Sequence, residues 1–147
     1  MLRVDDDALD TWRAFLNAHA QVTRRIGRDL ADAGLPDLTW YDLLWALRKR
    51  GPEGLRVNEL AREVVLSATA MSRFVDRVEA AGYVRREPHP ADRRALRIVI
   101  TDEGVELLRR MWPVYSRGIE TYFAAHLGRS APRLRAVLER IAESAAQ

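Results

Sequence analysis

The segment from Ser67 to Gly82 constrains the fold of this chain more than any other. Met71, Phe74, Val75 and Val78 fall at i, i+3, i+4 and i+7, the spacing of one buried stripe on a helix. Ser67 stands where an N-cap belongs, and Gly82 where a left-handed terminator belongs. With that stripe inward, Thr69, Ala70, Ser72, Arg73, Asp76 and Arg77 must face outward, so the exposed side is small, polar and arginine-bearing. A short helix is expected just before it, from Glu59 to Val64, capped by Asn58 and turning Leu60, Ala61 and Val64 inward. Two helices in this order, joined by a tight turn, make a helix–turn–helix.

Two strand-like runs follow, Tyr83 to Glu87 and Leu96 to Ile100. In the second, Leu96, Ile98 and Ile100 alternate with Arg97 and Val99, the period of a half-buried strand. The segment between them, Pro88 to Arg94, is polar and holds two prolines, which predicts a stiff, extended hairpin loop tipped with arginine.

The flanks read as helices. Apolar positions from Leu9 through Trp12, Phe15, Leu16, His19, Thr23 and Ile26 to Leu30 make one amphipathic helix over Ala8–Leu30, broken by Gly34-Leu35-Pro36-Asp37. Thr39 and Asp42 form a capping-box pattern that opens a helix through Arg50, with Trp40, Leu43, Leu44 and Leu47 on one face. Thr101 caps a later helix whose stripe runs Val105, Leu108, Trp112, Tyr115, Ile119, Tyr122 and His126, close to a heptad spacing. Gly128 is expected to end it. Ser130 then caps a last helix striped by Leu134, Val137, Leu138 and Ile141.

Composition narrows the classes of function. With no cysteine among 147 residues, disulfides, thiolate metal ligands, a cysteine nucleophile and a thiol redox switch are excluded. No apolar run approaches the roughly eighteen residues of a membrane span, and the acidic start, Met1 to Asp7, carries no apolar signal segment. A cytoplasmic protein with no membrane partner is the expectation. Between Thr39 and Ile100 stand twelve Arg or Lys against eight Asp or Glu, so the middle of the chain is basic and its flanks are close to neutral. That pattern suits nucleic acid, and on charge alone it suits a solvated face equally well.

A helix–turn–helix followed by a two-stranded wing is a device for reading DNA. The second helix fits the major groove, and its small residues let the backbone come close to the bases. Thr69 and Ser72 can bond phosphates or base edges, and Arg73 and Arg77 can fork onto guanine. A wing tipped with Arg94 suits the narrow, electronegative minor groove of A·T-rich DNA. Catalysis finds no support. His19, His89 and His126 lack metal-ligand spacing, and there is no glycine-rich phosphate loop and no GxSxG elbow. No enzyme, catalytic residue, metal or cofactor is therefore expected.

Several segments together resemble the multiple-antibiotic-resistance regulator (MarR) family. They are Leu38-Thr39-Trp40-Tyr41-Asp42, Val57-Asn58-Glu59-Leu60-Ala61, Leu66-Ser67 through Asp76-Arg77-Val78-Glu79, and Gly82-Tyr83-Val84-Arg85-Arg86. Asp92-Arg93-Arg94 followed by Ile100-Thr101-Asp102-Glu103-Gly104 is similar to that family's wing and its exit. The departures are small, such as Ser72 where threonine is commoner. The resemblance implies a homodimer whose first and last two helices interlock and whose two heads sit on a pseudo-palindromic operator in double-stranded DNA. It implies that Arg94 enters the minor groove and that Asp92 holds that arginine in place. It also implies a crevice for aromatic or phenolic effectors, here involving Trp12, His19, Trp40, Tyr41 and Trp45.

The expected fold is α+β and mostly α, a winged helix–turn–helix embedded in a helical dimerisation frame. The chain reads as one domain over 1–147, with DNA binding in 38–100 and dimerisation helices in 8–34 and 102–145. The expected DNA contacts are Ser67, Thr69, Ala70, Ser72, Arg73, Arg77, Asp92 and Arg94. The expected function is a sequence-specific homodimeric repressor relieved by a small aromatic or phenolic effector. The alternatives are a winged-helix dimer acting through protein contacts and a ligand-independent activator.

Overall fold

A computed structural model describes residues 3–64 and 68–147, with the backbone alone at Ala68. Six α-helices and one hairpin are assigned in it: α1 (Asp6–Asp32), α2 (Leu38–Arg50), α3 (Val57–Glu63), α4 (Ala68–Ala80), β1 (Val84–Pro88), β2 (Leu96–Ile100), α5 (Asp102–Tyr122) and α6 (Ala131–Ala145). The mostly helical α+β architecture expected from the sequence is what the chain adopts. Two compact units result, one of Gly27–Val114 and one of Met1–Ile26 with Tyr115–Gln147.

The larger unit has a dense apolar centre. Leu43, Leu44 and Leu47 of α2, Leu60 of α3, Met71, Val75 and Val78 of α4 and Ile98 of β2 are fully buried. Each contributes about 1.5–3 kcal/mol relative to an exposed side chain. The stripe on α4 is as its spacing predicts, with Phe74 buried beside Val75. Leu30 of α1 and Leu107 and Met111 of α5 are also fully buried, so this unit extends past 38–100 on both sides.

Several helix ends differ from the expectation. Asp5 takes the N–H of Ala8 at 2.7 Å, which starts α1 two residues early, at Asp6. On α2 the cap is Asp37, whose carboxylate accepts from Leu38 N–H at 2.8 Å. Its extended backbone presents an acceptor before Thr39 is reached, and Thr39 lies inside the helix. Asn58 likewise lies inside α3, where Glu59 reaches back to the N–H of Arg56 at 3.1 Å. The expected cap Ser67 lies outside the described residues.

Gly82 closes α4 as expected. Its φ of 88° is left-handed, Gly82 N–H donates to Glu79 C=O at 2.9 Å, and Tyr83 N–H donates to Val78 C=O at 3.2 Å. This pair of bonds is a Schellman end.

The hairpin is antiparallel, with Val84 opposite Ile100 and Pro88 opposite Leu96. Leu55 adds a bridge to Ile98, exchanging bonds of 3.0 and 2.7 Å. Gly54 permits this approach, because a Cβ there would strike the Ile98 carbonyl and crowd Val99. The simple alternation expected for β2 fails as a result. Val99 is buried against this connection as well as Ile98, and Leu96 at the loop end is exposed.

Thr101 caps α5 as expected, accepting from Gly104 N–H at 3.1 Å while its own hydroxyl donates to Gly82 C=O at 2.7 Å. Leu107, Leu108 and Met111 are buried on α5, whereas Trp112 is half exposed, so the buried stripe is rotated from the expected one. The helix ends at Tyr122, four residues short of His126. Two single 3₁₀ turns, Ala124–His126 and Gly128–Ser130, fill the gap, and the Ser130 side chain makes no cap.

The smaller unit keeps much apolar surface uncovered. Trp12, Phe15 and Leu16 of α1, Phe123, and Val137 and Ile141 of α6 are exposed, Trp12 by 54% and Ile141 by 58%. Within this unit Gly118 lies against Ile26, bringing α5 close to α1, and Arg25 stacks over Tyr122 with its Cζ 5.1 Å from the ring centroid.

Candidate nucleic-acid interface

The outer face of α4 carries Thr69, Ala70, Ser72, Arg73 and Arg77, all exposed. Burying Met71, Phe74, Val75 and Val78 forces these side chains outward. Arg77 rests over Phe74 with its Cζ 5.4 Å from the ring, so its guanidinium is partly ordered before any contact with DNA.

Asp76 on the same face is engaged by Arg86 of β1 at 2.6 Å. The same guanidinium bonds Glu79 at 2.7 Å, and Arg86 N–H donates to the second Glu79 oxygen at 2.9 Å. Arg86, four-fifths buried, therefore ties α4 to the first strand of the wing. It was not among the expected site residues, although Glu79 and Arg86 stand as opposite charges on either side of the Gly82 turn.

The wing tip is compact, contrary to the extended loop expected. His89 N–H donates to Ala95 C=O at 2.8 Å, Asp92 N–H to His89 C=O at 3.2 Å, and Ala95 N–H to Asp92 C=O at 3.0 Å. Asp92 Oδ1 accepts from the backbone N–H of Arg94 at 3.0 Å. The carboxylate thus holds the main chain of Arg94 rather than its guanidinium. Arg93 and Arg94 are exposed, and neither has a carboxylate in ion-pair reach among the described residues. Near the loop end of the two strands Glu87 sits between Arg85 at 2.6 Å and Arg97 at 3.0 Å. The Arg85 hydrogen bond is the main cause that lowers its carboxyl below the usual range, and Arg97 adds to it.

The expected effector residues do not form one cluster in the larger unit. Tyr41 stacks between Trp45 and Trp112, at centroid distances of 6.5 and 6.1 Å. Trp40, one residue from Tyr41, instead packs edge-on against Phe74 and Tyr83. Trp112 joins the aromatic group without having been expected there, and its place on the α5 stripe was the available signal. Trp12 and His19 belong to the smaller unit, where both are exposed and Trp12 lies 6.0 Å from Phe15. Asp42 has its carboxyl pushed up by partial burial first and by the charge of Asp37 second, while the residue as a whole remains exposed. Among the described residues no three His, Asp or Glu gather as a metal would require, and no helix is long and apolar enough to cross a membrane.

Comparison with known proteins gives these features a context. The family model of the MarR family matches residues 33–95. The HTH-type transcriptional regulator PecS of Dickeya dadantii is 29% identical over 102 residues, which is 69% of this chain but only 61% of that regulator's own length. The crystal structure of a MarR family transcriptional regulator from Streptomyces coelicolor, in complex with DNA, superposes with a TM-score of 0.86 at 30% identity, covering 98% of this chain and 91% of that one. CouR from Rhodococcus jostii RHA1, bound to p-coumaroyl-CoA, superposes with a TM-score of 0.76 at 25% identity, covering 90% and 92%.

Proposed function

The chain belongs to the MarR family of transcriptional regulators, and on that premise we propose that it is a homodimeric repressor that reads a pseudo-palindromic operator and leaves it when a small aromatic ligand binds. The observation that carries the reading is the face of α4, small and polar with Arg73 and Arg77, tied through Arg86 to a wing that ends in two exposed arginines. Residues 38–100 are assigned to DNA reading, and 8–34 with 102–145 to dimerisation. The uncovered apolar side chains of α1 and α6 support a second copy as their partner, since a patch of this kind in water favours association. The Trp45–Tyr41–Trp112 stack supports an aromatic ligand, as does the ligand carried by CouR.

The test is an electrophoretic shift of the DNA upstream of the chain's own gene, run at low and high salt and with a panel of phenolic acids. A specific, salt-sensitive shift by a species of twice 16.8 kDa is expected. A protein that binds all duplexes equally, or none, would leave a winged-helix dimer acting through protein contacts as the better reading.

A further inference from the structure

Asp76 stands nearer the middle of the exposed face of α4 than Ser72 or Arg77. The buried side chains Met71, Phe74, Val75 and Val78 fix the inward direction of the helix. At about 100° per residue, Thr69, Arg73 and Asp76 then point within about 30° of directly outward, with Ser72 and Arg77 about 70° to either side. The Asp76 side chain is 65% exposed. An acidic group is thus centred on the surface assigned to DNA, where the phosphate backbone repels it.

Tying α4 to the wing does not require this group. Glu79 makes the tie by itself, one oxygen accepting from Arg86 Nη1 at 2.7 Å and the other from the Arg86 backbone N–H at 2.9 Å. Asp76 adds a bond from Arg86 Nη2 to its Oδ1 at 2.6 Å, and its Oδ2 accepts no hydrogen bond among the described residues. Two carboxylates share one guanidinium, so the cluster keeps one net negative charge. Such a charge weakens binding to DNA in general and gains only where a base edge presents a donor. We propose that Asp76 determines specificity, its Oδ2 accepting the N4 amino hydrogen of a cytosine in the major groove, and that Arg86 is its positioning residue. Guanine and thymine present acceptors in that groove, and adenine sets its N7 acceptor beside its amino group. Cytosine alone offers a donor with no acceptor of its own. This proposal rests on α4 being the helix that enters the major groove.

The test is selection from a pool of random duplexes with the full chain and three variants, followed by isotherms on the selected site and on a non-cognate duplex. The parent should select a cytosine that Asp76→Ala no longer requires, with about tenfold less discrimination at one base pair per half-site. The same variant should bind the non-cognate duplex at least as tightly as the parent, since a repelling charge is gone. Asp76→Asn keeps an oxygen for Arg86 but turns the outer acceptor into a donor, so its preference there should move to guanine or thymine. Glu79→Gln should lower the midpoint of urea unfolding and keep the cytosine. Asp76 variants that retain the parental cytosine, or that only bind every duplex more weakly, overturn the proposal and leave the DNA-reading assignment standing. A Glu79→Gln variant that loses the cytosine equally overturns it too, by tracing the preference to the tilt of α4. A parent that selects no site sinks both.

Discussion

Asp92 takes the backbone N–H of Arg94 at 3.0 Å and leaves the guanidinium of that arginine in solvent. The carboxylate shapes the main chain of the wing tip, and the side chain follows from where the backbone puts it. Asp92→Ala should weaken operator binding, although it removes a negative charge facing DNA. Asp92→Asn, which keeps the acceptor and loses the charge, should bind at least as well as the parent. Fluorescence anisotropy on an operator duplex ranks the three proteins. An alanine variant that folds normally and binds more tightly would show that the wing acts by charge alone.

Arg94→Ala should weaken binding and flatten its dependence on salt. Each phosphate-equivalent contact contributes about 0.9 to the slope of log affinity against log salt, so a dimer losing two should lose up to about two units. The measurement is a salt series of binding isotherms. An unchanged slope would place Arg94 outside the interface.

Arg73 and Arg77 stand one turn apart on the exposed face of α4, and Arg77 is braced by Phe74. Alanine at a residue that forks onto guanine should cost about 1–3 kcal/mol at one base pair per half-site and relax preference there. A panel of single-base operator variants reads this directly. If both variants keep the parental preferences, Thr69 or Ser72 does the reading.

Arg86 bonds both Asp76 and Glu79 of α4 from β1. Arg86→Ala should destabilise the fold by about 2 kcal/mol, since hydrogen bonds to charged partners contribute about 1.5–3 kcal/mol and these partners are partly in solvent. Urea unfolding of variant and parent gives the difference. A loss below about 0.5 kcal/mol would mean that apolar packing alone sets α4 against the wing.

The lowered carboxyl of Glu87 gives a pH prediction. Its folded value lies below the ordinary glutamate value of 4.5, so its contribution to stability is fully present above that pH and is lost as the pH falls through the folded value. Glu87→Gln should remove part of the acid dependence of stability below pH 4.5 and leave the slope at neutral pH unchanged. Thermal unfolding across an acid series checks both halves of the statement.

What was legible in the sequence was whatever one side of a helix decides. The α4 stripe and the Gly82 terminator depend on local spacing and backbone conformation, and both are found as read. The caps were less legible, because Asp37 and Thr39 both carry suitable oxygens and only the backbone angle before the helix chooses between them. The α5 stripe was misread because Leu107 and Met111 lie a fraction of a turn from the Leu108–Trp112 line, and tertiary packing selects the face. The contacts of Arg86 with Asp76 and Glu79 and of Arg97 with Glu87 depend on residues brought together by the hairpin from distant positions, and no period in the chain encodes such a meeting.

The Thr101 hydroxyl accepts from Gly104 and donates to Gly82, so one oxygen fastens the exit of α4 to the entry of α5. In mechanical terms this is a pivot with a long arm. A helix of 21 residues extends about 31 Å at 1.5 Å per residue. A rotation of about 5° about that oxygen moves the far end of such a rod by about 3 Å. By the same leverage, a displacement of about 3 Å at the far end of that rod corresponds to a turn of only about 5° at the Thr101 oxygen, where the Gly82 carbonyl is held.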